Sequence, residues 1–286
     1  MLLHRHFEKP EERVAYSWPP VSQFDARVEM PMKPSGYKVA VYNGTKNLYR
    51  DMTVAAKSMF ANSDVDKVYF LIEDDWFPYD VPKDVECINV KGQPYFNPGG
   101  PNFSTHWTWM VLMRAALTKL FPDLDRALSL DVDTIVADDI SDLWETDMGD
   151  CVVGMVPEYL TEFRPFGPIY WNAGVMLQDM AKLRESGIDD QIIYAINHEA
   201  FRCPEQCAFN KYCAGRIYTL PSRYNDGIVA GMSDNPAIAH FVGSGNWQTW
   251  ASHKHHGLIK QYAEMKWEEA MERHQDHCRK RGEQHG

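Results

Sequence analysis

Asp131 and Asp133 stand one residue apart in LSLDVDTIVADD (129–140), where an apolar run ends. Two hard oxygen donors facing one way suit Mg²⁺ or Mn²⁺, ions that share their sites with substrate phosphates. Alternation along a strand would send both acids into one crevice and Val132 into the core. The same acids could simply begin a solvated turn, as ADDISD just beyond them does. His240 closes a second apolar run, AIAHF, so another strand end could deliver an imidazole to that crevice. Cys203, Cys207 and Cys213, in RCPEQCAFNKYC, lack the spacing of a zinc knuckle and read as free thiols. Six cysteines in 286 residues do not make a disulfide framework.

A crevice of this kind needs parallel strands that stop together. Strand-like runs alternate with helix-like ones: YKVAVYNG (37–44), then DMTVAAKSMFAN with Val54, Ala55, Ser58 and Met59 on one face, then VDKVYFLIEDD and DVECINVKG. GQPYFNPGGPNFS has the Pro and Gly density of a surface loop. Ser104 or Thr105 is expected to cap a helix over THWTWMVLMRAALTKLF, and Pro122 to stop it. ALSLDVDTIV reads as one central strand, followed by CVVGMVPE, NAGVMLQ, RIYTLP and AIAHFVG. The alternation predicts a mostly parallel α/β sheet covered by helices on both faces, with ligands at the carboxyl ends of its strands.

Composition agrees: 44% apolar and 13% aromatic residues can fill a sizeable core. A net charge of −11 argues against nucleic acid or an anionic membrane as partner, so an anionic ligand must be held locally by a metal, a helix N-terminus or a few cations. No stretch reads as a signal peptide or a membrane span, and the expectation is a cytoplasmic protein. Three parts are expected: an irregular lead-in over 1–36, a catalytic domain over 37–252, and a charged helical tail over 253–286 with Leu258, Tyr262 and Met265 along one stripe. The tail mixes Glu264, Glu268, Glu269 and Glu272 with Lys266 and Arg273, which suits a solvated face or a homo-oligomer contact.

Several blocks together resemble the family-8 glycosyltransferases, the group of glycogenin and the bacterial lipopolysaccharide galactosyltransferases. In order they are YNGTKNLYRDMTVAAKSM, MRAALTKLFPDLDRALSLDVDTIVADDISDLW, YWNAGVMLQDM, PEQCAFN and HFVGSGNW, within roughly residues 37 to 250. The resemblance implies a GT-A Rossmann-like fold and retaining transfer of a hexose from UDP-glucose or UDP-galactose. It makes Asp131, Asp133 and His240 the ligands of Mn²⁺, with Mg²⁺ as the other candidate. Asn43, Gly44 and Thr45 would border the nucleotide, with Tyr42 or Tyr49 stacking on uracil. Arg114 would reach the nucleotide or sugar, with Val132, Ala173, Gly243 and Asn246 along the donor. Asn172 and Gln206 would lie near the donor sugar, and Glu205, where the family commonly has Asp, would join Gln206 at the anomeric carbon.

The chain departs from that family in HFVGSGNW. A Lys that contacts the diphosphate is missing, and Asn246 stands where a Pro precedes the Trp, so Lys254 or His253 would have to supply the cation. Two other functions would use a similar sheet and fit these residues less well. A sugar nucleotidyltransferase should carry a Gly-rich basic loop after its first strand, and NGTKNLYR has a single Gly. A non-catalytic UDP-sugar or saccharide-binding module would have no use for Asp131, Asp133, His240, Asn172 and Gln206 together. The acceptor, whether saccharide, protein or small molecule, is not written in these motifs.

Overall fold

The computed structural model describes residues 16–17, 21–23, 36–158, 169–228, 233–242 and 255–285. Its strands are β1 (Tyr16–Ser17), β2 (Val21–Gln23), β3 (Val39–Asn43), β4 (Lys67–Ile72), β5 (Val81–Pro82), β6 (Val85–Asn89), β7 (Arg126–Leu130), β8 (Thr134–Val136), β9 (Val153–Pro157), β10 (Trp171–Asp179), β11 (Ile217–Thr219) and β12 (Ile238–His240). Eight of them form one sheet in the order β11-β9-β10-β7-β3-β4-β6-β2. Only the pairings of β10 with β7 and β9 are antiparallel in it. All five residues of β3, VAVYN, are buried, as continuous apolar runs must be when both faces of a sheet are covered.

One face packs against α1 (Tyr49–Ala61) and the C-terminal helices, with Met52, Met59 and Phe60 in its core. The other carries a 3-10 helix over Trp109–Ala116, α2 (Leu117–Leu120), α3 (Met180–Ser186), α4 (Ile188–His198) and α5 (Pro204–Tyr212).

Three expectations need correction. The single strand predicted through ALSLDVDTIV is two, because Asp131–Asp133 form the turn between β7 and β8. Thr134 Oγ1 donates to the Asp131 carbonyl at 2.7 Å and closes that turn. β8 then leaves the main sheet and pairs antiparallel with β12. A turn, not strand alternation, therefore turns the two acids together.

The helix before it starts later than predicted. Thr108 is its cap, accepting from Met110 N at 3.1 Å, while Thr105 Oγ1 accepts from Trp107 N within the preceding loop. The helix stops at Leu120, just ahead of Pro122, as expected.

The C-terminal tail is two helices, α6 (His256–Glu264) and α7 (Trp267–His285), parted at Met265, whose ψ of 137° is extended. They close over α1. The Trp267 and His274 rings meet Phe60 edge-on at 6.2 and 5.1 Å, and Asn62 Nδ2 donates to Tyr262 Oη at 2.6 Å. Tyr262 and Met265 are buried and Leu258 packs beside them, so the predicted stripe faces the core.

Candidate active site

Two strand ends and one turn build the site. β12 pairs with β8 so that His240 lies opposite Thr134. Phe241 N donates to the Asp133 carbonyl at 2.9 Å, and His240 N donates to the Asp226 carbonyl at 2.7 Å. These bonds bring His240 Nε2 within 3.5 Å of Asp131 Oδ2 and 3.3 Å of Asp133 Oδ1. The three ligand atoms lie within 4.8 Å of one another, the one such grouping of His, Cys, Asp or Glu among the described residues. Two carboxylates and an imidazole suit Mn²⁺ or Mg²⁺ in their donor chemistry, since hard oxygens dominate and imidazole is compatible with Mn²⁺.

The His240 ring needs a glycine beneath it. A Cβ on Gly174 would stand 2.1 Å from His240 Cε1 and 2.7 Å from Nδ1, which no side chain can occupy. Gly174 also accepts from Asp131 N at 2.7 Å, so β10 holds the acid turn as well as the imidazole.

Arg114 is wholly buried behind the acids. It pairs with Asp131, donates from Nη1 to the Ala173 carbonyl at 2.6 Å and lies 3.7 Å from Glu205 Oε1. Burial alone would weaken its hold on the proton, yet Asp131 and Glu205 keep it more firmly charged than usual. Burial likewise works against ionised Asp131, but Arg114 and His240 hold that carboxyl below its ordinary range. For His240, burial is outweighed by Asp133 and Asp131, and the imidazole is pushed up. Glu205 differs: burial dominates and lifts it to about 7 in spite of Arg114, with Asp131 adding to the rise.

Beside them runs a chain of amides. Asn172 Nδ2 and Gln206 Nε2 donate to Glu158 Oε2 at 3.2 and 3.1 Å. Gln206 Oε1 accepts from Ala173 N at 2.9 Å, which locks α5 to β10. Asn172 Oδ1 accepts from Gly174 N at 2.8 Å and from Asn225 Nδ2 at 2.9 Å. His240 Nδ1 lies 2.7 Å from Asn225 Oδ1.

The structure thus joins Asp131, Asp133, His240, Arg114, Asn172, Ala173, Glu205 and Gln206 in one neighbourhood. Val132 is buried between the acids, its side chain in the core as expected, although a turn and not strand alternation puts it there. Asn43, Gly44 and Thr45 sit at the end of β3, Asn43 Nδ2 donating to the Met110 carbonyl at 2.8 Å. The expected aromatic platform is not there. Tyr42 lies wholly in the core, and Tyr49 is covered, its hydroxyl donating to Asp74 Oδ2 and accepting from Glu73 N, both at 3.0 Å, with Phe77 5.1 Å from its ring. Neither ring offers an open face to a base. Gly243 and Asn246, like His253 and Lys254, fall outside the described residues.

Sequence reasoning missed Glu158, Gly174 and Asn225. Glu158 follows the apolar run VVGMVP, so the strand-end rule that singled out Asp131 applies to it equally. Gly174 and Asn225 carry no such signal: one is an absent side chain, the other sits in SRYNDG, which reads as an ordinary turn.

Comparison with known proteins agrees with the geometry. The sequence profile of the family described as Glycosyl transferase family 8 matches residues 41–252. General stress protein A of Bacillus subtilis (strain 168) is 27% identical over 188 residues, 56% of this chain and 65% of that protein. A probable galacturonosyltransferase-like 6 of Arabidopsis thaliana is 34% identical over 92 residues, 26% of each chain. This chain therefore spans less than two thirds of both curated relatives. Among solved structures, the galactosyltransferase LgtC in complex with donor and acceptor sugar analogs superposes with a TM-score of 0.60 at 18% identity, covering 79% of this chain and 95% of that one. The fold is that of the GT-A glycosyltransferases.

Proposed function

The chain belongs to glycosyl transferase family 8, and from that membership we propose that it moves a hexose from a UDP-sugar to an acceptor, with retention at the anomeric carbon and with a divalent cation bound. The observation that carries this reading is the convergence of Asp131 and Asp133, in the turn after β7, with His240, at the end of β12, in a GT-A fold. A Mn²⁺ or Mg²⁺ ion held by these three would screen the charge that builds on the departing diphosphate.

The chain's own residues do the rest. The Asn43–Thr45 turn, at the carboxyl end of β3, lies where nucleotides bind in open α/β sheets. Arg114 stays charged and orients Asp131. Glu205, lifted to about 7, is about half protonated at neutral pH and mostly neutral below it, which lessens the negative charge beside the diphosphate. Glu158, gripped by Asn172 and Gln206, would face positive charge at the sugar, a role the family resemblance gives to Gln206 and Glu205. Retention follows if the acceptor attacks from the side of the leaving phosphate, which takes its proton, with no enzyme–sugar bond formed.

The printed names of the relatives point to galactose and galacturonate, so the donor screen should contain UDP-glucose, UDP-galactose and UDP-galacturonate. Thermal unfolding with UDP, with and without Mn²⁺, and donor hydrolysis over that panel test the reading. Stabilisation by UDP that needs Mn²⁺, with one donor hydrolysed best, is expected; UDP binding indifferent to Mn²⁺ would remove the cation from the proposal. Product anomers read by NMR decide retention, and a sugar trapped covalently on Glu158 or Glu205 would overturn front-face attack.

A further inference from the structure

We propose that Asn225 is a positioning residue for the cation: its amide fixes His240 as the tautomer protonated on Nδ1, so that the Nε2 lone pair faces Asp131 and Asp133. The inference rests on the metal-dependent reading above and adds to it a side chain that touches neither acid and acts on the cluster through the far nitrogen of His240.

The assignment follows from one donor that has no alternative. The backbone N–H of Gly174 can only donate, so the Asn172 atom 2.8 Å from it is the amide oxygen. The Asn225 atom 2.9 Å from that same oxygen must then be its amide nitrogen, because two oxygens there would repel. Asn225 consequently turns its own oxygen to His240 Nδ1, 2.7 Å away, and an amide oxygen only accepts. Nδ1 therefore carries a proton. The far end of Asn172 agrees, since its nitrogen then meets Glu158 Oε2 at 3.2 Å as donor to acceptor.

A backbone amide in β10 thus sets the protonation of a side chain on β12 through two asparagines. Asn225 is 1% exposed and His240 3%, so solvent offers no competing partner. The backbone fixes the same geometry, since Asp226, the next residue, forms a parallel bridge with Ala239, next to His240. The missing Cβ of Gly174 leaves room for the Nδ1–Cε1 edge of the ring.

The reason for the device lies in the charges. Two carboxylates at 3.5 and 3.3 Å from Nε2 would attract the single proton of a neutral imidazole onto that nitrogen. An Nε2–H ring is a donor to the acids and cannot bind a metal there. Asn225 keeps the proton on the opposite nitrogen, which is how a hydrogen bond to one ring nitrogen selects the ligand atom at the other.

The test uses the full chain and its Asn225→Ala and Asn225→Asp variants, with Mn²⁺ alone as the probe. Free Mn²⁺ is read by electron paramagnetic resonance, and the His240 tautomer by ¹H–¹⁵N correlation without metal, at a pH where the ring is neutral. Wild type should show Nδ1–H. Asn225→Ala should move the proton to Nε2 and weaken Mn²⁺ binding about 10- to 100-fold. Asn225→Asp, which still accepts from Nδ1–H but forfeits the donor to Asn172 Oδ1, should restore the tautomer and recover part of the Mn²⁺ affinity. An alanine variant with wild-type tautomer and affinity overturns the proposal, as does a loss that follows only a lowered melting temperature and is not rescued by aspartate. If Asn225→Ala does not fold, a wild-type ring carrying its proton on Nε2 is sufficient to overturn it. Wild type with Nδ1–H but no Mn²⁺ affinity sinks the metal-dependent reading instead.

Discussion

Two clusters of acids lie at opposite ends of the parallel strands, and they are balanced in different ways. At the amino ends, Asp64, Asp142 and Glu145 are met by Lys38 and Arg281: Lys38 Nζ lies 2.7 Å from Asp64 and 3.5 Å from Glu145, Arg281 lies 3.0 Å from Asp64 and 3.4 Å from Asp142, and Arg281 also pairs with Glu145. At the carboxyl ends, Asp131, Asp133, Glu158 and Glu205 surround Arg114 and one imidazole. The first cluster draws its cations from the chain itself and is closed. The second is short of positive charge: Asp133 and Asp131 push His240 up against its burial, and Glu205, lifted to about 7 chiefly by burial, is raised further by Asp131. Acids paired with the chain's own cations tie its elements together, whereas acids left shorter of positive charge are the candidate seat of a cation from outside.

The largest expected effect breaks that contrast at its open end. Asp133→Asn should lower Mn²⁺-dependent donor turnover about 1000-fold or more, on the order of 4 kcal/mol of barrier. Its melting temperature should stay level or rise, because one of two crowded carboxylates is gone. Turnover and calorimetry on one preparation check this; a variant that unfolds early would make the open cluster structural like the closed one.

Glu205 gives the next effect, and its sign is fixed by burial. The folded protein keeps this proton up to about 7, while the unfolded chain releases it near 4.5, so stability contributed here is full below 4.5 and falls as pH rises through about 7. That gap, at about 1.36 kcal/mol per pH unit, corresponds to about 3 kcal/mol at most. Glu205→Gln has no charge to release. Its melting temperature should match wild type at pH 4.5 and exceed it at pH 8, and equal curves across that range would show that Glu205 is not shifted.

Gly174→Ala probes the seat of the imidazole. With Cβ 2.1 Å from His240 Cε1, the ring must move, at a cost of about 2 kcal/mol in stability and with weaker Mn²⁺ binding. Normal Mn²⁺ affinity in this variant would mean that His240 is not a ligand. The smallest effect belongs to the closed cluster: Arg281→Ala should cost about 1 to 2 kcal/mol in unfolding free energy, since Lys38 still meets Asp64, and leave turnover per folded molecule unchanged.

The legible parts of the molecule are those whose chemistry is local. Apolar runs such as VAVYN and KVYFLI must be strands buried on both faces, and carboxylates at their ends must face the crevice there. Asp131, Asp133 and His240 were found by that rule, and Glu158 obeys it without having been noticed. The rule misled where local pattern has two solutions. Thr108 and Thr105 are equally good caps in sequence, and the choice depends on where the helix packs. Tyr42 and Tyr49 have the composition of a stacking platform, but whether an aromatic ring is covered depends on its neighbours, here Phe70 for one and Phe77 for the other.

By itself the sequence determined the α/β alternation, a net charge that argues against a polyanionic partner, and a candidate donor set of two acids and an imidazole, because each depends on residue types and short spacings. Only the tertiary structure decided that Asp131 and Asp133 occupy a turn rather than a strand, that β8 leaves the sheet to meet β12, and that Gly174, Asn172 and Asn225 seat His240. Those contacts join residues as far apart as Thr134 and His240, 106 positions along the chain. An absent Cβ or an ordinary asparagine acquires meaning only from the partner that folding brings against it.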